Sequence, residues 1–155
     1  LAEPTVAALR KALEDAAGVR GDEVLVEEYI HGREFTVAVL DGRALPVIEI
    51  RAPEGDYDFN NKYFGDAVHY DCPAKLEDEA AATLGSLCER AFAAVGARGW
   101  SRIDALQRAD GSFALLEINT SPGMTPHSLV PMAARAVGMD YADLCLKVLS
   151  LARCD

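Results

Sequence analysis

The chain has no run of eighteen apolar residues and no basic segment leading into an apolar stretch near its start, so neither a membrane span nor a signal peptide is legible in it. It also has little basic charge. Against 15 Lys and Arg stand 25 Asp and Glu, and the resulting formal charge of -10 repels nucleic-acid phosphates and anionic lipid. Cys72, Cys88, Cys145 and Cys154 are scattered, with no C-x-x-C pair and no histidine at zinc-site spacing. They read as reduced, mostly structural thiols, in keeping with a cytoplasmic protein that has neither nucleic acid nor membrane as partner. Internal repeats and low-complexity segments are absent as well. What remains is a 155-residue chain, half of it hydrophobic, which suffices for one real core and reads as one globular domain or two small subdomains. It opens at Leu1 inside a helical pattern (Val6, Leu9, Leu13, Ala16), which suggests a part of a longer protein.

Periodicity and turn residues predict an α+β fold, a mostly antiparallel sheet with flanking helices. Strands are expected over Glu23 to Tyr29, Glu34 to Leu40 and Arg43 to Arg51, the last two joined by a tight Asp41-Gly42 turn. Pro53 to Gly65 is polar, aromatic and aperiodic, a loop of a length that is usually functional or disordered. A helix is expected from Lys75 to Val95, with Leu76, Ala80, Leu84, Leu87, Ala91 and Val95 as its buried stripe and Gly96 as its stop. Gly99 to Arg108 and Ser112 to Asn119 form a hairpin around Asp110-Gly111. Ser128 then caps a helix to Val137, and Asp140 caps a last one from Tyr141 to Leu151.

The hairpin carries the chemistry. With a two-residue turn at Asp110-Gly111, Ala109 faces Ser112, Asp104 faces Glu117 and Arg102 faces Asn119, while Ile103, Ala105, Leu116 and Ile118 point to the opposite, apolar side. Two carboxylates ~5 Å apart repel by roughly 3 kcal/mol at an effective dielectric of about 20. Arg102 offsets part of that. A divalent cation between Asp104 and Glu117 offsets all of it, with Asn119 as a third oxygen donor. Oxygen-only donors favour Mg²⁺ or Mn²⁺, which take phosphate oxygens as further ligands, so a nucleoside triphosphate is the natural companion. The same residue types also suit the wet face of an ordinary hairpin. The loop that follows favours the metal: Ser121-Pro122-Gly123 can expose backbone N–H groups, and the helix opening at Ser128 adds an anion-attracting N-terminus.

The run GWSRIDALQRADGSFALLEINTSPGMTPHSLVPMAARAVGMD closely resembles the C-terminal signature of the D-alanine:D-alanine ligases, members of the ATP-grasp superfamily, and the likeness extends back through VLVEEYIHGREFTVAVL and NKYFGDAVHYDCPA. The resemblance implies an ATP-grasp C-terminal region over residues 1–155, with 1–22 as helix and linker and 23–155 binding nucleotide, magnesium and the acceptor substrate. By the same resemblance Asp104, Glu117 and Asn119 are ligands of two Mg²⁺ or Mn²⁺ ions, Glu117 bridging them. Arg102 and the Gly123 N–H would stabilise charge in the transition state, and Ser128 and Leu129 would receive the carboxylate of the second D-alanine. Glu27, Glu28, Tyr29 and Ile30 match the segment beside the adenine, although Glu28 stands where relatives often carry lysine. Glu34 matches the acid on the ribose hydroxyls. Lys62 and Tyr63 match a lid, Lys62 reaching the ATP phosphates and Tyr63 closing over the D-alanine site.

The implied activity is ATP-dependent joining of two D-alanines through an acylphosphate, for peptidoglycan precursors in the cytoplasm. The partners it implies are ATP, D-alanine, the N-terminal part of the same enzyme and a second copy in a homodimer. The family's first D-alanine pocket and phosphate-cradling loop are absent from these 155 residues, so the isolated chain is expected to be inactive. Two other readings stand beside this one: an ATP-grasp ligase with a different acceptor, and a non-catalytic nucleotide-binding module.

Overall fold

The computed structural model describes residues 5–20, 26–51 and 68–153. It divides into two compact units, Leu1–His31 and Gly32–Asp155. The first holds helix α1, Val6–Arg20, in which Val6 and Leu9 are exposed. The strand expected from Glu23 to Tyr29 is not formed within the described residues: 26–31 belong to no strand. The expected loop from Pro53 to Gly65 lies outside the described residues.

The second unit is a sheet with helices on both faces. Its strands are β1 (Glu34–Leu40), β2 (Arg43–Ala44), β3 (Ile48–Arg51), β4 (His69–Asp71), β5 (Trp100–Gln107) and β6 (Phe113–Asn119), and its helices are α2 (Asp78–Ala94), α3 (Leu129–Ala136) and α4 (Tyr141–Leu151). The order across the sheet is β4-β3-β1-β5-β6, with β2 also paired to β1, and every pairing is antiparallel. The single strand expected from Arg43 to Arg51 is two short ones. Pro46 has no N–H to give to the ladder, and it falls in the gap between them. Asp41 and Gly42, at φ 54° and 75°, make the tight turn from β1 to β2, as the Asp-Gly pair leads one to expect.

Strand β1 is buried on both faces. Phe35, Val37 and Val39 join Ile103 and Ala105 beneath Leu84, Cys88 and Phe92 of α2. On the opposite face Ala38, Leu40 and Ile48 are covered by Val130, Ala133 and Ala134 of α3 and by Leu144 of α4. Each large apolar side chain so buried contributes on the order of 1.5–3 kcal/mol. The buried residues of α2 are Leu84, Cys88 and Phe92; of the expected stripe Leu84 is among them, Leu76 and Ala91 pack against the same core while partly exposed, and Val95 is 60% exposed. The Asp140 carboxylate accepts from Asp143 N at 2.8 Å and caps α4 as expected.

The β5–β6 hairpin departs from expectation twice, and the departures cancel. Its turn holds three residues, Ala109 to Gly111: Arg108 N donates to Ser112 O at 2.8 Å, Gly111 N donates to Arg108 O at 2.9 Å, and Gly111 takes φ 86°. The pairing next to the turn is therefore Gln107 with Phe113 and Ala105 with Leu115, one residue off the expected register. A bulge at Leu116 then inserts one extra residue, and beyond it Asp104 faces Glu117 and Arg102 faces Asn119 after all. The bulge also takes Leu116 off the apolar side. Phe113, Leu115 and Ile118 pack against the core, while Leu116 is 48% exposed.

Candidate functional site

Helices α3 and α4 cover only part of their face of the sheet. Past Ala38, the same face of β1 continues with Thr36 and Glu34, and the neighbouring strand places Arg102 and Asp104 beside them. Here a cavity of about 640 Å³ opens, lined by Tyr70, Arg102, Asp104, Glu117 and Asn119 from the sheet and by Gly123 and Ser128, among others, from the loop that follows β6. The fold thus brings together seven of the expected residues: Arg102, Asp104, Glu117, Asn119, Gly123, Ser128 and Leu129. Glu34 lies one cross-strand row away, paired with Ile50 and Leu106. Glu27, Glu28, Tyr29 and Ile30 belong to the other compact unit, where the Tyr29 ring meets the His31 ring edge-on at 4.5 Å. Lys62 and Tyr63 lie outside the described residues.

Arg102 is the centre of charge. Its Nε and Nη2 donate to the two oxygens of Asp104 at 2.9 and 2.7 Å, and Nη2 stands 3.6 Å from Glu117 Oε1. Asp104 is 5% exposed, and its Oδ1 also accepts from the Thr36 hydroxyl at 2.6 Å. The facing carboxylates thus meet a cation from the protein itself, and the repulsion expected from the sequence is largely relieved before any metal is considered. One cation against two carboxylates still leaves a net negative charge, and Glu117, 59% exposed at its side chain, keeps open acceptor positions toward the cavity.

Among the described residues no three His, Cys, Asp or Glu side chains gather as a self-sufficient metal site. Two carboxylates and one amide of hard oxygen donors suit a Mg²⁺ or Mn²⁺ that draws its remaining ligands from water and phosphate, and suit zinc poorly. Asn119 Oδ1 already accepts from Ser121 N at 3.0 Å, so that N–H is not offered to an anion. The amide oxygen retains a second lone pair.

The loop from Ser121 to Ser128 is tied down by its own polar groups. Ser128 sits at the N-cap of α3, but its hydroxyl makes no capping bond; it accepts from Thr125 N at 3.0 Å and pairs with Thr125 Oγ1 at 2.9 Å. Tyr141 OH donates to Met124 O at 2.5 Å, and Arg135 donates to Pro126 O at 2.8 Å. A side chain at Gly123 would be crowded: a Cβ there would lie 3.0 Å from Ser128 Oγ, so Ser128 would have to give way by a few tenths of an ångström.

Two cavity-side residues carried no signal in the sequence. Thr36 is the one hydroxyl in an otherwise apolar buried run, but its partner Asp104 is 68 residues away and the β1–β5 register is not written in local pattern. Tyr70, on β4, has its phenol pushed up first by burial and then by the negative charge of Glu34, with Arg102 acting in the opposite sense. Cys88, on the far side of the sheet, is pushed up to about 12 by burial and by the nearby Asp104 and Glu89, and stays a neutral thiol.

The chain matches the family model described as "D-ala D-ala ligase C-terminus" over residues 4–150. It is 57% identical over 137 residues to a D-alanine–D-alanine ligase of Bordetella petrii, covering 86% of this chain and 42% of that protein. To the ligase of Cupriavidus taiwanensis it is 46% identical, covering 100% of this chain and 49% of the relative. Among solved structures, the Bacillus anthracis D-alanine–D-alanine ligase complexed with ATP superposes with a TM-score of 0.79 at 30% identity, over 95% of this chain and 48% of that one. A D-Ala:D-Ser ligase from Enterococcus faecalis gives 0.79 and 30%, over 95% and 43%. The chain spans about half the length of the relatives it matches. The antiparallel α+β architecture expected of an ATP-grasp C-terminal region is the one observed, and the chain belongs to the D-alanine:D-alanine ligase C-terminal family.

Proposed function

We propose that this chain is the C-terminal part of a cytoplasmic ligase that joins two D-alanines at the expense of ATP, with 1–22 as helix and linker and 23–155 as the nucleotide, metal and acceptor region. The observation that carries the reading is the convergence of Arg102, Asp104, Glu117, Asn119, Gly123 and Ser128 on one cavity. The first D-alanine carboxylate attacks the γ-phosphorus of ATP, releasing ADP and leaving an acylphosphate. The amine of the second D-alanine then attacks the acyl carbon, phosphate leaves, and the amine proton is lost to solvent. Asp104, Glu117 and Asn119 would hold two Mg²⁺ or Mn²⁺ ions, which would neutralise charge on the phosphoryl oxygens. Arg102, with its rigid fork of donors, and the Gly123 N–H serve the negative charge that develops in the transition state. Ser128 and Leu129, at the start of α3, receive the acceptor's carboxylate. Glu27, Glu28, Tyr29 and Ile30 border the adenine, Glu34 takes the ribose hydroxyls, Lys62 the phosphates, and Tyr63 closes over D-alanine.

A second reading, in which the acceptor is D-serine, is supported by the equal likeness to the Enterococcus faecalis D-Ala:D-Ser ligase. Phosphate release by the full-length protein with D-alanine alone, and with D-alanine plus D-lactate or D-serine, separates the two, products being identified by mass. D-Alanyl-D-alanine as the main product is expected. A mixed product in preference to it supports the second reading, and ATP binding without phosphate release under any condition would overturn both.

A further inference from the structure

Strand β1 buries six consecutive residues, Phe35 to Leu40, and five of them are apolar. The sixth, Thr36, is fully buried and stands directly across from Asp104 in the ladder. Valine has the same branched shape, suits a strand as well, and has no hydroxyl to desolvate. A buried hydroxyl therefore needs a partner. Thr36 Oγ1 has one hydrogen to donate; Ile103 O is 3.4 Å away and Asp104 Oδ1 is 2.6 Å away, so the proton goes to the carboxylate.

Asp104 accepts from three donors in all, and two of them belong to Arg102. In the proposed reaction Arg102 also serves the phosphoryl oxygens, for which Nη1 and the second Nη2 hydrogen remain while Nε and Nη2 hold Asp104. Thr36, fully buried, gives its hydroxyl hydrogen to Asp104 and is not shared with another group. Its hydroxyl is also neutral, so it fixes the carboxylate's orientation without cancelling the charge that attracts a cation, which Arg102 does cancel.

We propose that Thr36 is a positioning residue for the metal site: it locks the Asp104 carboxylate so that the lone pair left open on Oδ2 is presented to a divalent cation. The inference rests on the metal-ligand reading of Asp104, Glu117 and Asn119. Partners of this kind around a ligand change metal affinity by about 10- to 100-fold when removed.

The test is direct Mn²⁺ binding, read from the electron paramagnetic resonance signal of the free ion in the presence of ATP, on the full-length protein and its Thr36→Ser, Thr36→Val and Asp104→Asn variants. Thr36→Ser keeps the hydroxyl and should bind near the parent affinity; Thr36→Val should bind about 10- to 100-fold more weakly. If Thr36→Val does not fold, Thr36→Ala takes its place in the same comparison. A Thr36→Val protein with parental affinity beside a weakened Asp104→Asn overturns the proposal, and so does a Thr36→Ser protein as weak as Thr36→Val. Parental Mn²⁺ affinity in Asp104→Asn would instead overturn the metal-ligand reading on which it rests.

Discussion

Arg102 changes what the facing carboxylates mean for stability. From the sequence, removing either acid relieves a repulsion. In the structure the two acids differ, because Asp104 is buried and holds both arms of Arg102 and the Thr36 hydroxyl, whereas Glu117 is mostly in water and 3.6 Å from the guanidinium. Asp104→Asn should therefore lower stability by about 1–3 kcal/mol, since it weakens charge-assisted bonds in a buried place. Glu117→Gln should stay within ~1 kcal/mol of the parent. Both should lose ligase activity in the full-length enzyme by about a hundredfold or more, the cost of removing a metal ligand worth several kcal/mol. Urea melts and phosphate release on the two variants check this; equal stability losses would contradict the geometry, and normal turnover in both would contradict the metal reading. Arg102, Asp104, Glu117 and Asn119 were legible in the sequence because they lie within one hairpin and share one face, although their pairing came out as expected only because the longer turn and the bulge cancel. Thr36 and Tyr70 were not legible, because their places depend on pairings between strands far apart in the chain.

Between elements, the pairing of β1 with β3 is pinned by an ion pair. Arg33, just before β1, donates from Nε and Nη2 to both oxygens of the buried Glu49 on β3 at 2.8 Å each, and its Nη2 also reaches Lys75 O at 2.9 Å. The hydrogen bonds from Arg33 hold the Glu49 carboxyl below its ordinary range against the opposing pull of burial. Because the folded-state value is the lower one, the stabilisation is full above the unfolded-state value, about 4.3, and is lost as pH falls through the folded-state value. Arg33 stays protonated throughout and adds no pH dependence of its own. Glu49→Gln should cost about 1.5–3 kcal/mol near neutrality, and the gap to the parent should narrow in acid. Melts at a series of pH values test this, and a gap that does not change with pH would remove Glu49 from the account. The hairpin shows where reading by element fails. The turn is one residue longer than Asp110-Gly111 suggested and Leu116 restores the register, two local irregularities with no periodic signature. It follows that deleting Leu116 leaves a regular ladder with Asp104 still opposite Glu117. The deletion variant should melt cooperatively, and loss of the cooperative transition would show that the bulge is needed for the sheet itself.

At the scale of the whole molecule, the chain covers about half of each relative it matches, and the proposed site is correspondingly partial. Positioning two reactants at ~3 to 3.5 Å needs walls on every side, and misplacement by about 1 Å already costs roughly a hundredfold. The isolated 155 residues should therefore yield no D-alanyl-D-alanine from ATP, magnesium and D-alanine by mass spectrometry, and turnover like that of an ordinary ligase would show that they hold a complete site. The architecture was legible at this scale because strand and helix periods alternate along the chain. What was not legible is that β1 runs through the middle of the sheet with core on both faces, and that placement reaches into time as well as space. The amides of β1 and β5 that underlie Thr36, Arg102 and Asp104 are bonded to neighbours on both sides, in the part of the fold that opens only when all of it opens. Their hydrogens should exchange with heavy water as slowly as the slowest in the protein. The backbone that carries the charged cluster then lasts as long as the folded state, and fluctuations that fray the turn at Gly111 pass without disturbing that backbone.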